Sequence, residues 1–254
     1  MSNPASFYDR LAPYYHLLYG NWEASIARQG AALARLLGTH GIRPGEPILD
    51  AACGIGTQTI GLAGNGYDVT ASDCSPGAID RLKKELLVRG LRAHVHVDDL
   101  RLLEHGASSA FAAVLACDNS IPHLLTDDDL LQCFRNCLRC LRPGGLAVFS
   151  VRDYAGIPRV SPDVRPYGIR QVDARRFLAV QVWEWEGDCY DLRMYLTTEE
   201  ADGTCSTEVL RSRYYAVGIE RLLSLMQEAG FVETRRWDDI LFQPVLVGRR
   251  ADAG

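Results

Sequence analysis

Between residues 47 and 151, short apolar runs alternate with longer segments of helical period, and this alternation narrows the fold more than any other feature of the chain. Apolar strands joined by helical crossovers pair in parallel, with the helices packed on the sheet. Ile48-Leu49 opens the first predicted strand, and residues 67–72, 93–97, 111–117 and 146–151 supply four more. Two of the intervening helices mark their own ends. Ser75 is a good N-cap with Pro76 at the first helical position, and Gly90 stands where a left-handed residue closes a helix. Thr126 caps the second, and Asp127-Asp128-Asp129 favour the positive end of its dipole. Arg142-Pro143-Gly144-Gly145 then turns the chain into the fifth strand.

On either side the rhythm changes. Residues 7–37 read as helix, with Leu11, Tyr15 and Leu18 on one face and Ile26, Ala32, Leu33 and Leu36 further on. Residues 176–185, 190–197 and 206–217 alternate apolar and polar side chains around Glu186-Gly187-Asp188 and Asp202-Gly203, which predicts three antiparallel strands. Residues 219–229 return to helix, closed by Gly230, and 231–237 with 241–247 should form a terminal antiparallel pair.

The stretch Ile48-Leu49-Asp50-Ala51-Ala52-Cys53-Gly54-Ile55-Gly56-Thr57 carries an acid out of a strand into a Gly-x-Gly turn that opens a helix. Such a turn lets the backbone approach a ligand at the helix N-terminus. A dinucleotide fingerprint would want a third glycine at position 59, which is Thr59, and a carboxylate at Asp50 would repel a pyrophosphate. S-adenosylmethionine has no phosphate and carries a cationic sulfonium and ammonium, so the sign of the charge favours it over NAD. Asp73 ends the second strand about 20 residues beyond the glycines, where a carboxylate can accept from both ribose hydroxyls. Asp99, in Val97-Asp98-Asp99-Leu100, is suited to accept from the adenine amino group, with Asp98 as the competing candidate.

With these residues in order, followed by Leu141-Arg142-Pro143-Gly144-Gly145, the chain resembles class I S-adenosylmethionine-dependent methyltransferases over nearly its whole length. More narrowly it is similar to the glycine and glycine/sarcosine N-methyltransferase group, through Cys117-Asp118-Asn119-Ser120-Ile121-Pro122-His123-Leu124 and Val151-Arg152-Asp153-Tyr154. The resemblance implies an α/β, Rossmann-like, seven-stranded and mostly parallel sheet, with a terminal antiparallel strand pair and a small antiparallel β insertion. Residues 1–154 would hold the N-terminal lid helices and the cofactor core, 155–217 the substrate-side insertion, and 218–254 the return to the core. It also implies that Arg28 pairs with the cofactor carboxylate and that Asn119 and Arg152 hold the carboxylate of an amino-acid acceptor. The expected cofactor-binding set is Arg28, Asp50, Ala52, Gly54, Gly56, Asp73, Cys74, Asp98, Asp99, Leu100 and Cys117. Asn119, Arg152 and His123 form the expected catalytic set.

Methyl transfer from a sulfonium needs collinear geometry and exclusion of water, with no covalent enzyme intermediate. An amine acceptor must first lose a proton, which His123, Tyr14, Tyr15 or Tyr19 could assist. The N-terminal helix is expected to close over the cofactor as a lid. Tyr167, Trp183, Trp185, Tyr190, Tyr195, Tyr214 and Tyr215 make the insertion aromatic, which argues against glycine itself as acceptor. The rival acceptor is a small heteroaromatic or secondary metabolite methylated on N or O, and the rival class is a non-catalytic adenosyl-ligand binder.

Two other motifs have plainer explanations. Cys133, Cys137 and Cys140 match the spacing of an iron–sulfur triplet but fall on one helical stripe, as a core face does. Asp127-Asp128-Asp129 need no metal beyond their helix dipole, and no metal is expected. The formal charge of −5 disfavours nucleic acid and anionic membranes as partners, leaving a small-molecule acceptor, with self-association open. The first nine residues lack a basic-then-apolar leader, so a cytoplasmic protein with reduced thiols is expected.

Overall fold

A computed structural model describes residues 4–252. Residues 1–3 and 253–254, which belong to the leader region and the outer domain limits considered above, lie outside the described residues. The α/β core runs β1 (Pro47–Asp50), α3 (Thr57–Gly64), β2 (Asp68–Asp73), α4 (Pro76–Arg89), β3 (His94–Val97), β4 (Phe111–Ala116), α5 (Asp127–Cys140) and β5 (Leu141–Ser150), after α1 (Pro4–Leu11) and α2 (Trp22–Thr39). It is completed by α6 (Ile219–Ala229), β10 (Val232–Trp237) and β11 (Val245–Arg249). The seven strands lie in the order β10-β11-β5-β4-β1-β2-β3. β1 to β5 pair in parallel, whereas β11 runs antiparallel to both β5 and β10.

Apolar side chains bury both faces of this sheet. Phe134 and Cys137 of α5 pack with Leu222, Leu225 and Met226 of α6 on one side, and Leu33, Leu36 and Leu37 of α2 pack with Leu62 of α3 on the other. Cys133, Cys137 and Cys140 are fully buried on the first of these faces, as their stripe predicts. Ser75 and Thr126 cap α4 and α5 through their hydroxyls, and Gly90 closes α4 in the left-handed conformation. No helix among the described residues is long and apolar enough to cross a membrane.

Two expectations are corrected. Residues 7–37 are not one helix: α1 ends at Leu11, Pro13 follows in a turn, residues Tyr15–Leu18 make a single 3-10 turn, and α2 begins after Asn21. Pro13 has no amide to continue the ladder, and the Asn21 side chain accepts from the Ala24 amide at 2.9 Å to start a new helix. The insertion has four strands rather than three, in the order β6 (Asp163–Val172), β7 (Arg175–Glu186), β8 (Cys189–Glu199) and β9 (Cys205–Tyr215). β6 escapes a period-two reading because Pro166 and Gly168 interrupt it, and the register with β7 shifts between those two residues. An edge strand tolerates both interruptions.

The N-terminal pieces are tied across the C-terminal edge of the main sheet. Asp9 Oδ1 of α1 accepts from Ser75 Oγ at 2.6 Å and from the Gly77 amide at 2.7 Å, so α1 sits on the start of α4. Phe7 and Leu11 join Phe177, Leu192, Met194 and Leu210 of the second sheet in one apolar cluster.

α2 and α3 cross at Gly30 and Gly61, so closely that a Cβ on Gly30 would lie 2.7 Å from the Gly61 Cα. Backbone cannot yield as a side chain can. Gly30→Ala is therefore expected to lower stability by about 1–3 kcal/mol through overpacking, against the ~1 kcal/mol gain that helix propensity alone would give. A fall in the urea midpoint supports the contact; a rise contradicts it.

Candidate functional site

Two cavities open where the strand ends of the main sheet face the N-terminal segment and the second sheet. The first, about 280 Å³, is lined from the β1 turn by Ala51, Ala52, Cys53, Gly54 and Ile55, and from the β2 end by Asp73 and Cys74. Asp99, Leu100 and Arg101 after β3, and Cys117, Asp118, Ser120, His123 and Leu124 after β4, complete its walls beneath Tyr8, Tyr15 and Tyr19. The second, about 410 Å³, is lined by Arg28, Gln29, Asn119, Arg152, Tyr167, Gln181, Met194, Tyr214 and Phe242 among others. Tyr8, Tyr15, Tyr19 and Asp118 line both.

Local backbone geometry shapes the first cavity. Gly54 and Gly56 have φ of +52° and +99°. A Cβ on Gly56 would come within 2.3 Å of Leu82 Cδ1, so this glycine permits packing of the turn on α4 and does not itself line the cavity. Asp73 clamps the turn: its Oδ2 accepts from the Gly54 amide and its Oδ1 from the Ser75 amide, each at 2.9 Å. Burial raises the Asp73 pKa, and these two amides oppose the rise.

Of the neighbouring acids after β3, only Asp99 lines the cavity. Asp98 turns inward, where its carboxylate accepts from the amides of Asp99, Glu104 and His105, and so ties the loop. Asp99 is paired with Arg101 at 2.6 Å, which lowers its pKa. Arg213, the other cation at the wall, is bound to Glu186 and Asp191. With both guanidinium groups neutralised and Asp73, Asp118 and Asp129 also at the wall, the cavity suits a nucleoside with a cationic tail and is hostile to a pyrophosphate.

Asp50 lies deeper than a rim carboxylate. It is fully buried, its Oδ2 accepts from Thr59 Oγ1 at 2.6 Å, and its Oδ1 has no partner among the described residues. Burial, with help from Asp73 and Asp118, outweighs the Thr59 bond and pushes its pKa up to about 7. Thr59, which replaces the third glycine of a dinucleotide motif, is thus the residue that holds this acid.

In the second cavity Asn119 ties two neighbouring groups together. Its φ is +65°, its Oδ1 accepts from the Arg152 amide at 2.8 Å, and its Nδ2 donates to Tyr154 Oη at 3.0 Å. Arg152 rests over the Trp183 ring, 4.8 Å from its centroid, and has no carboxylate partner among the described residues. Arg28 donates to Ser25 Oγ at 3.2 Å from an exposed position on α2. His123 packs at a tilt against Tyr214, with ring centroids 4.1 Å apart, contacts Tyr8 Oη at 2.8 Å through Nε2, and is held neutral by burial, with its pKa lowered to about 3. Tyr14 instead stacks on Phe177, away from both cavities.

Tyr8, Gln58 and Asp118 were not singled out from the sequence. Asp118 and Gln58 could have been found only from the strand-end position of the first and the helix-start position of the second. Tyr8 gave no signal, since the break after Leu11 is what brings it over the site.

The pKa of Asp50 has a thermodynamic consequence. Because the folded value exceeds the ordinary 3.8, the stability Asp50 contributes is complete at low pH and lost as pH rises through about 7. Asp50→Asn, which can still accept from Thr59, is expected to gain on the parent by roughly 2–4 kcal/mol between about pH 4 and pH 8. Urea midpoints of both proteins at the two pH values check this; a difference that does not change with pH contradicts it.

Residues 48–145 match the family described as methyltransferase domain. The chain is 30% identical over 163 residues to YqeM of Bacillus subtilis, which carries a provisional methyltransferase name; the match covers 63% of this chain and 58% of that one. It is 29% identical over 134 residues to the glycine/sarcosine N-methyltransferase of Parasynechococcus marenigrum, covering 53% of this chain and 46% of the relative. The chain thus spans roughly half the length of these relatives. The fold is similar over nearly its whole length to the sugar N-methyltransferase KedS8 from Streptoalloteichus, with a TM-score of 0.76 and 19% identity over 99% of this chain and 94% of that one.

Proposed function

We propose, on the premise that residues 48–145 are a methyltransferase domain within the class I S-adenosylmethionine-dependent fold, that this protein methylates a nitrogen of a small amino-acid-like or amine acceptor. The observation that carries the acceptor class is Arg152, a guanidinium without an acid partner among the described residues, stacked on Trp183 at the wall of the second cavity. A planar fork of this kind suits a carboxylate or another anionic group bidentately. S-adenosylmethionine, when bound, supplies an electrophilic methyl on a sulfonium. Asp73, Asp99 and the Ala52–Gly54 turn would hold its nucleoside, and Arg28 would pair with its carboxylate.

The rest of the work falls to side chains that orient and enclose. Asn119 fixes the backbone of Arg152, and Tyr8, Tyr15 and Tyr19 close the passage between the cavities against water. His123, with its pKa near 3, is a poor proton acceptor at neutral pH and serves better as a neutral hydrogen-bond partner that orients Tyr8. The second cavity, about 410 Å³, has room for far more than glycine, and Tyr167, Tyr214, Leu192 and Met194 offer it apolar contact. This favours a larger amine, and the likeness to a sugar N-methyltransferase is consistent with an amine on a ring.

The test is incubation with S-adenosylmethionine and a panel of amino acids, amino sugars and N-heterocycles, with mass detection of a methyl gain. Arg152→Ala is expected to raise the acceptor KM by about 10- to 100-fold, since charge-assisted bonds contribute about 1.5–3 kcal/mol, and to leave cofactor affinity unchanged. Arg152→Lys should not restore it, for want of the fork. Equal losses toward both ligands contradict the assignment.

A further inference from the structure

Among the described residues, four line both cavities, and Asp118 is the carboxylate among them, the other three being the phenols of Tyr8, Tyr15 and Tyr19. It follows β4 in the left-handed conformation, φ +55°, and the next residue, Asn119, is left-handed too at +65°. Two consecutive left-handed residues turn the chain sharply. This conformation costs non-glycine residues energy and persists only where the surroundings enforce it.

The surroundings also hold the side chain. Tyr19 Oη donates to Asp118 Oδ2 at 2.9 Å, and Gln58 Nε2 donates to the same oxygen at 3.2 Å while also bonding Gln29. A donor from the N-terminal segment and one from α3 thus converge on a single oxygen. Oδ1 accepts no hydrogen bond among the described residues and is not sealed in the protein interior, so it opens to the passage. A carboxylate fixed by one oxygen with the other directed at a cavity is arranged to receive a cation or a proton.

From this geometry we infer that Asp118 receives the acceptor amine where the two cavities meet, holding it as the ammonium ion and accepting its proton before methyl transfer. This deepens the proposed N-methylation and rests on it. An N–H proton passes to Asp118 Oδ1 and the bonding pair stays on nitrogen. That pair forms the new N–CH3 bond as the C–S bond breaks and its electrons leave with sulfur. The proton on Asp118 is then released to water, and the methylated product departs as a cation.

The electrostatic setting agrees. Burial raises the Asp118 pKa from its ordinary value, against the Gln58 and Tyr19 bonds that lower it, which makes it a better proton acceptor than His123. The titratable groups facing it are Tyr15 and Tyr19 of the N-terminal segment, Asp50 of β1 and Cys117 just after β4. Arg28 and Arg152 stand farther along the second cavity wall.

Sinefungin tests this without an acceptor, because it carries an amine on carbon in place of the sulfonium methyl. The unmodified protein should bind sinefungin at least ~10-fold tighter than S-adenosylhomocysteine at about pH 8, a difference of one charge-assisted contact. In Asp118→Asn, whose amide oxygen can still accept from Tyr19 and Gln58, the ratio should fall to about 1–3, and because both ligands share every other contact, the ratio and not either affinity is the readout. In the unmodified protein the preference should fade as pH falls through the Asp118 pKa, because only the carboxylate attracts the ammonium. A ratio that survives Asp118→Asn, or no preference in the unmodified protein, overturns the inference. Should the variant also lose S-adenosylhomocysteine, the pH series on the unmodified protein decides. Failure of the unmodified protein to bind S-adenosylhomocysteine at all contradicts the methyltransferase proposal itself.

Discussion

The two amide bonds received by Asp73 organise the ligand-binding end of the sheet. One comes from Gly54 in the turn after β1 and the other from Ser75 at the start of α4, so a single carboxylate ties two strand ends to two helix starts. Its charge remains at the cavity wall, where burial makes it costly unless something positive or hydrogen-bonding arrives. Asp50, beneath the same turn with one oxygen that has no partner among the described residues, adds to that demand when it is ionised. The arginines nearest the wall do not answer it, since each is already bound to its own acids. What remains is a site charged for a cationic nucleoside.

The N-terminal segment completes the enclosure by being broken. A straight helix could not carry Asp9 to the start of α4, Tyr8 to His123 and Tyr19 to Asp118. The turn at Pro13, the 3-10 turn and the new start at Asn21 allow all three, and the segment lies over both cavities as a result. Its hydrogen bonds are joined by apolar packing, since Phe7 and Leu11 are buried against the second sheet.

Much of this was legible in the sequence. The parallel core could be read because apolar runs buried on both faces lack the alternation of half-exposed strands, and the caps at Ser75, Gly90 and Thr126 fell where local chemistry requires them. β6 was hidden by Pro166 and Gly168, whose bulge disguises a strand that pairs on only one side. That one acid after β3 lines the cavity was readable, but which one was not, because neighbouring strand-end side chains diverge and only the loop shows that Asp98 satisfies three amides. The role of Asp118 depends on two left-handed residues in succession, which no periodicity announces.

The charge of the first cavity favours a cationic nucleoside over a dinucleotide. Parallel calorimetric titrations of the purified protein with S-adenosylmethionine and with NAD test it most directly. Saturable binding of the first with no measurable heat from the second is the expected result. Tight binding of the dinucleotide, with indifference to S-adenosylmethionine, would contradict the account.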